Sequence, residues 1–349
     1  MNAGRNGPGA SRAAKLLPPF VVAAIALSAC GQLTQSTQQP VGDNARQILT
    51  LFMPILWGAV AIFALVLGFL VYSMIRFRRR SDSDPIPNQV HGDIRLEVLW
   101  TLVPTVIVIA LAVATFRTIA VQAQAAPPDA LKVNVVGHQW WWEFEYPDLG
   151  ITTANELRVP VGRTIDLKIE ATDVIHSFWF PRIAGKIDAV PGRTNELRFT
   201  VPPDGVGRYQ GQCAEFCGFA HAQMKMLLFA VTEQEFDDWT ATMQTPPSEP
   251  EGEAARGAEV FNTIYPSEST GCFICHTIDG TSAQGKVGPN LTDVANRTML
   301  GAALIENNTE NLTKWIENAD NIKPGVLMPS LGLAPDELAA VVAYLQSLR

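Results

Sequence analysis

Along the chain the spacing of apolar positions changes several times, and each change predicts a different element. A first apolar run, 16–26, follows the basic residues Arg5, Arg12 and Lys15 and ends in Leu27, Ser28, Ala29, Cys30 and Gly31. That order predicts an export signal over 1–29, with small residues before a cysteine as in a bacterial lipoprotein box, so that Cys30 becomes the lipidated first residue. The alternative is an uncleaved anchor with a buried cysteine. Two longer runs, about 48–75 and 98–119, each exceed the roughly 20 residues a helix needs to cross the hydrocarbon core. They make 30–120 an N-terminal segment followed by a transmembrane hairpin. The loop between them holds Arg76, Arg78, Arg79, Arg80 and Arg95, which places it in the cytoplasm and everything after Ala120 outside.

Beyond the hairpin the period falls to two. Short β-rich runs at 131–136, 143–146, 164–169, 195–200 and 226–231 are punctuated by turn residues such as Pro160 to Gly162 and Pro202 to Gly205, a pattern that suggests a small Greek-key sandwich over 121–243. Residues 244–253 lack apolar anchors and carry three prolines, so they read as an extended, solvated linker. Over 254–349 the period returns to that of amphipathic helices, near 254–261, 312–318 and 336–348, separated by glycine- and proline-rich loops. So small a helical domain buries little apolar area unaided, and a cofactor that supplies part of the core is expected.

Length and charge narrow the function classes. The 349 residues suffice for two or three modest domains, and a net charge of −8 with one dense basic run, beside an apolar segment, argues against nucleic acid. Four of the five cysteines fall into two close pairs with histidine nearby, which suggests ligation before disulfides.

The first pair lies in Gly211, Gln212, Cys213, Ala214, Glu215, Phe216, Cys217, followed by His221 and Met224, with His176 upstream after an apolar β run. Thiolate, thioether and imidazole together select copper, although zinc accepts two cysteines and two histidines as well. Met224 favours copper, since zinc rarely takes a thioether. Two cysteines four apart on one loop can each bridge two coppers, spreading the charge change of electron transfer over the cluster. The plain alternative is a Cys213–Cys217 disulfide with His221 and Met224 incidental.

The second pair lies in Cys272, Phe273, Ile274, Cys275, His276. This is the attachment signature of c-type haem, in which the two thiols form thioethers with the vinyl groups and the histidine ligates iron. Met328, in a loop before the last helical run, supplies the sixth ligand, and Gly288, Pro289, Asn290 and Leu291 lie between, as in cytochromes c. A strained redox disulfide is the rival.

In order and type, His176, Cys213, Glu215, Cys217, His221 and Met224 resemble the binuclear copper-A site of cytochrome c oxidase subunit II, and the resemblance runs from the hairpin to about Trp239. Residues from about Glu253 to Arg349 resemble cytochrome c, so the whole is similar to oxidases with a cytochrome tail on subunit II. The resemblance implies a multidomain membrane protein: a two-helix transmembrane hairpin, a cupredoxin-like Greek-key β-sandwich and a small all-α cytochrome c domain. It implies that Cys213 and Cys217 bridge the coppers, that His176 and His221 are terminal ligands, and that Met224 and the Glu215 carbonyl complete the set. It implies a magnesium ion held by the Glu215 carboxylate against subunit I, electron input through Trp140 in the aromatic run 138–142, and a proton-channel entrance at Glu97. For Trp140 the alternative is ordinary packing; for Glu97 it is the acid favoured at any helix N-terminus.

The implied activity is that of an oxidase subunit in a bacterial cell membrane, with the copper and haem domains on the outer face. An external donor (cytochrome c, another cytochrome or a bc-type complex) reduces haem c; the electron passes to copper A and on to subunit I, beside subunit III, where oxygen is reduced with proton translocation. Two rivals share parts of the pattern. A copper-A nitric oxide reductase subunit uses the same copper module, and a membrane-tethered copper chaperone or thiol reductase uses two cysteines separated by three residues with a distant histidine, but needs neither Met224 nor a haem.

Overall fold

A computed structural model describes residues 34–79, 81, 88–89, 91–265 and 270–348; the expected export signal and Cys30 lie outside them. Two helices, α1 (Asp43–Arg76) and α2 (Ile94–Gln122), form the N-terminal hairpin. Both are apolar on every side and leave Phe63, Leu65, Phe69 and Val108 exposed, as expected of a surface that meets lipid or another apolar chain. Each overshoots its apolar run. At the N-terminus of α1, Asn44 and Ala45 are buried against the next domain, and at that of α2 the Asp93 carboxylate caps Arg95 N at 2.9 Å.

The chain then builds two five-stranded sheets face to face. One has the order β3-β2-β1-β5-β8 and the other β4-β10-β9-β6-β7, with β1 at Leu131–His138, β2 at Trp141–Tyr146, β3 at Ile151–Ala154, β4 at Glu156–Pro160, β5 at Thr164–Ala171, β6 at His176–Trp179, β7 at Ile187–Ala189, β8 at Asn195–Thr200, β9 at Gly207–Cys213 and β10 at Lys225–Val231. The alternation predicted along the chain appears as strict inward and outward burial on β1 and β5. The inward sides meet in a core whose fully buried members include Trp142, Phe144, Tyr146, Phe178, Phe199 and Leu167. The Tyr146 hydroxyl donates to Arg158 O at 2.8 Å and accepts from Arg158 N at 2.9 Å, tying one sheet to the other. Asn155, at φ +62°, turns the chain between the sheets and accepts from Trp142 N through its side chain.

A helix the hydrophobic pattern does not announce, α3 (Glu233–Gln244), follows β10. It is mostly polar and starts on a capping box between Thr232 and Glu235; Phe236 and Trp239 pack on Tyr146. The cytochrome-like part comprises α4 (Glu253–Phe261), the single turn α5 (Cys272–Cys275), a two-stranded ribbon β11 (Met299–Leu300) and β12 (Ile305–Glu306), α6 (Thr309–Glu317) and α7 (Pro335–Ser347). Helices α4 and α7 cross closely because Gly257 sits on Ala340, where a Cβ would fall 1.9 Å from the carbonyl oxygen. Phe261 and Tyr344 meet edge to face beside Val341 and Leu345.

Candidate functional site

The six residues singled out for copper converge at one end of the sandwich. His176 opens β6, Cys213 ends β9, and the loop 214–224 returns to β10, held by Cys213 N to Met224 O at 2.9 Å and Ala214 N to Ser177 O at 2.9 Å. The Cys213 and Cys217 sulfurs are 3.8 Å apart. His176 Nδ1 is 4.0 Å from Cys213, His221 Nδ1 is 3.5 Å from Cys217, Met224 Sδ is 3.8 Å from Cys217, and the Glu215 carbonyl oxygen is 3.2 Å from Cys213. His176, Cys213, Cys217 and Met224 are buried. The loop depends on Gly218, at φ +113°, where a Cβ would press within 3.0 Å of Gln139 and 3.2 Å of Trp140.

The donor set fits copper. Two sulfurs near enough to share metal, two imidazole nitrogens, a thioether and a carbonyl make a soft, water-poor cage. Its electrostatics favour one thiolate: the hydrogen bond shared with Cys217 draws the Cys213 thiol well below the usual thiol range, while the same partnership holds the Cys217 thiol above it. Behind His176 stands Asp173, absent from the sequence expectations. Its Oδ1 accepts from His176 Nε2 at 2.8 Å and its Oδ2 from Gln139 N at 2.6 Å. Burial raises that carboxyl, but the bonds from His176, Val174 N and Gln139 N outweigh it and hold Asp173 below its ordinary value. Burial likewise lowers His176, and the bonds to Cys213 and Asp173 reverse the effect and raise it. A carboxylate on one imidazole nitrogen fixes which nitrogen faces the metal. An acid three residues before a ligand histidine is the signal that could have found it.

Trp140 lies beside this loop, buried, and its indole Nε1 donates to the Cys217 carbonyl oxygen at 3.0 Å, as the Gln139 amide does at 2.8 Å. The Glu215 side chain is exposed together with Phe216 and Phe219. Glu97 is not part of the cluster. It lies in the first turn of α2, and the 25 residues from it to Gln122 amount to about 38 Å of helix.

On the other side of Trp140 a crevice open to solvent is lined by Cys272, Cys275, His276 and Met328, with Trp140 and Trp141 on its copper-side wall. The His276 Nδ1 donates to the Pro289 carbonyl oxygen at 2.7 Å, which leaves Nε2 as a lone-pair donor. Gly288 permits this, since a Cβ there would fall 2.5 Å from the ring. Burial pushes His276 down, toward the neutral form iron needs, and pushes the Cys272 thiol up to about 11. Arg297 also lines the crevice. Its guanidinium bonds Asn290 O and Asp293, yet its Nε is buried without a partner. A buried orphan donor of positive charge beside an apolar crevice fits the acidic edge of a haem. Nothing in local periodicity marked Arg297.

Three family models cover successive parts of the chain: "Cytochrome C oxidase subunit II, transmembrane domain" matches 31–118, "Cytochrome C oxidase subunit II, periplasmic domain" matches 150–231 and "Cytochrome c" matches 254–349. Cytochrome c oxidase subunit 2 of Alkalihalophilus pseudofirmus is 33% identical over 346 residues, 97% of either chain, and that of Bacillus subtilis is 32% identical over 356 residues, 96% of this chain and 98% of the relative. A crystal structure of the periplasmic domain of subunit II of cytochrome oxidase of Bradyrhizobium japonicum aligns at 34% identity and TM-score 0.33, covering 34% of this chain and 97% of that one. The matched domains imply copper A in the sandwich, haem in the helical domain, a complex with subunit I, and a membrane protein with a periplasmic-type domain. The chain belongs to the cytochrome c oxidase subunit II family, in a form with a C-terminal cytochrome c domain, and is a subunit of a haem-copper oxidoreductase complex.

Proposed function

We propose that this chain takes electrons from an external donor at a covalently bound haem c and passes them through copper A to subunit I, where oxygen is reduced to water with proton translocation. The observation that carries the proposal is Trp140, which lines the haem crevice on one side and hydrogen-bonds the copper loop at Cys217 on the other. Haem and copper, when bound, supply one-electron redox chemistry. The residues supply the rest: Cys272 and Cys275 would anchor the haem, His276 and Met328 would hold its iron, and Arg297 would answer its acidic edge. Cys213, Cys217, His176, His221, Met224 and the Glu215 carbonyl would hold the coppers, and the burial of both cysteines, His176 and Met224 would keep water from them. Histidine and methionine together raise the potential of a c-type haem, which suits an acceptor from a soluble or membrane-bound cytochrome or a bc-type complex.

The division into a signal at 1–29, a membrane segment at 30–120, a copper domain at 121–243, a linker at 244–253 and a cytochrome domain at 254–349 gives each part a place. The arginine-rich loop after α1 faces the cytoplasm of a bacterial cell membrane, both redox domains stand on the outer face, and a lipidated Cys30 adds a second anchor. The exposed Glu215 carboxylate would face subunit I and hold a magnesium ion there; Glu97, at the far end of α2, lies at a proton entrance, and subunit III completes the complex. The linker makes each delivery from haem to copper an intramolecular event at high effective concentration.

Metal analysis with visible and near-infrared spectra of the purified complex tests the proposal. Two coppers and one covalent haem per chain, with a mixed-valence copper band that bleaches as the haem is photoreduced, are expected. A haem without that band, or a band that does not respond to haem reduction, refutes it.

A further inference from the structure

The copper and cytochrome domains meet through contacts that neither ligand set uses. Glu156, at the start of β4, is 4% exposed. Its Oε1 accepts from Thr298 N at 2.7 Å, the Thr298 hydroxyl at 2.6 Å and Met299 N at 3.0 Å, all from the cytochrome domain. Lys323, on the cytochrome side, is 2% exposed. Its Nζ donates to the Trp140 carbonyl oxygen at 2.5 Å and, within its own domain, to the Gly301 carbonyl oxygen at 3.3 Å. Near these bonds Trp141 and Ala154 enclose Ala302 in a small dry cluster.

A carboxylate and an amine out of water are unfavourable unless they are hydrogen-bonded, and here the other domain supplies what each needs. Burial pushes the Lys323 amine down to about 7, the mark of a group that gives up solvent in this pose. Glu156 Oε1 collects two successive backbone donors and the Thr298 hydroxyl at one point, and only one pose offers all three, so the contact selects a pose as well as an area.

We propose that Glu156 and Lys323 form a two-point lock that registers the cytochrome domain on the copper domain, with the haem crevice facing Trp140 and Trp141. The lock rests on the haem and copper assignments above and adds how the two are aligned. Trp140 is gripped at both ends, its carbonyl by Lys323 and its indole by the Cys217 carbonyl. Glu156 and Lys323 are thus positioning residues. The short stretch between α3 and α4 permits many poses, and the lock chooses the one that lays the crevice against the copper loop.

The test uses the assembled oxidase and times electron arrival at the near-infrared copper band after photoreduction of the haem. Glu156→Ala and Lys323→Met are each expected to slow that phase about tenfold or more, the loss that follows from one hydrogen bond to a charged group. Haem and copper spectra and the rate of haem reduction by a small reductant stay unchanged. Glu156→Gln, which keeps an accepting oxygen, restores most of the rate. Unchanged transfer in both variants with intact spectra overturns the lock, whereas missing haem or copper signals in the unaltered complex overturn the underlying assignments instead. Should a variant fail to assemble, hydrogen exchange in the unaltered complex decides: slow exchange of the Thr298 and Met299 amides is expected, and exchange as fast as that of an exposed loop overturns the lock.

Discussion

Replacing Asp173 by asparagine probes how the copper cage is held from behind. The carboxylate accepts from His176 Nε2 through Oδ1 and from Gln139 N through Oδ2. An amide keeps one acceptor: with its oxygen on His176, its NH2 group confronts the Gln139 N–H, and that donor loses its partner. The bond to His176 also loses its charge assistance. A hydrogen bond to a charged group contributes about 1.5–3 kcal/mol; Asp173 is partly exposed, with 30% of its side chain accessible, so the lower half of that range applies. A cost near 2 kcal/mol is about thirtyfold in affinity, within the 10–100-fold typical of partners behind a ligating histidine. The assay is copper retention by the full complex against a graded chelator, followed by the near-infrared band. Asp173→Asn is expected to release copper at about thirtyfold lower chelator strength with little change in fold. Retention equal to that of the unaltered chain would show that His176 needs no carboxylate to hold its orientation.

Three further outcomes are expected. Gly288→Ala drives a Cβ to 2.5 Å from the His276 ring and should displace that imidazole, so the purified chain shows a weakened or high-spin haem spectrum while the copper band is retained. Tyr146→Phe removes both bonds to Arg158 and should destabilise the sandwich by about 1–3 kcal/mol, seen as a lower Tm with the copper band intact; an unchanged Tm contradicts the account of how the sheets are tied. On the surface, Arg256 bonds Asp336 and holds its carboxyl below the ordinary value. A depressed carboxyl stabilises above its unfolded value and loses that contribution as pH falls through its folded value, so Arg256→Ala should flatten the acid limb of cytochrome-domain unfolding, slightly because the pair is fully exposed.

Most candidate ligands could be picked out because they sit in two short motifs, with His176 and Met328 added from farther along the chain; the structure brings the six copper candidates together and lines one crevice with the four haem candidates. Strands whose sides alternate cleanly, such as β8, were legible for the same reason. Others were not. Gly207–Cys213 carries two glycines and polar residues, and its strand character comes from pairing with β10; His176–Trp179 is only four residues long and is fixed by β7 and β9. Helix α3 has a net polar composition, and only its capping box marks it. Asp173, Arg297, Glu156 and Lys323 are single charged residues in turns or at element ends, and their meaning comes from partners up to 183 positions away in the chain. No local window contains that information.

The first turn of α1 and the last residue of α2 meet the same strand. Asn44 of α1 donates to Arg198 O at 3.2 Å, Asp43 accepts from Thr200 N at 2.6 Å, and Arg198 of β8 donates to Gln122 O at the end of α2 at 2.7 Å. The 34 residues of α1 make a rod of about 51 Å, and the hydrocarbon core takes up about 30 Å of it. The copper sandwich is therefore mounted on a stiff two-legged stand, at a height above the bilayer set by helix length, while the cytochrome domain hangs from it by a short cord. One redox module has its altitude built in; the other takes its place from the bonds that Glu156 and Lys323 make between the two.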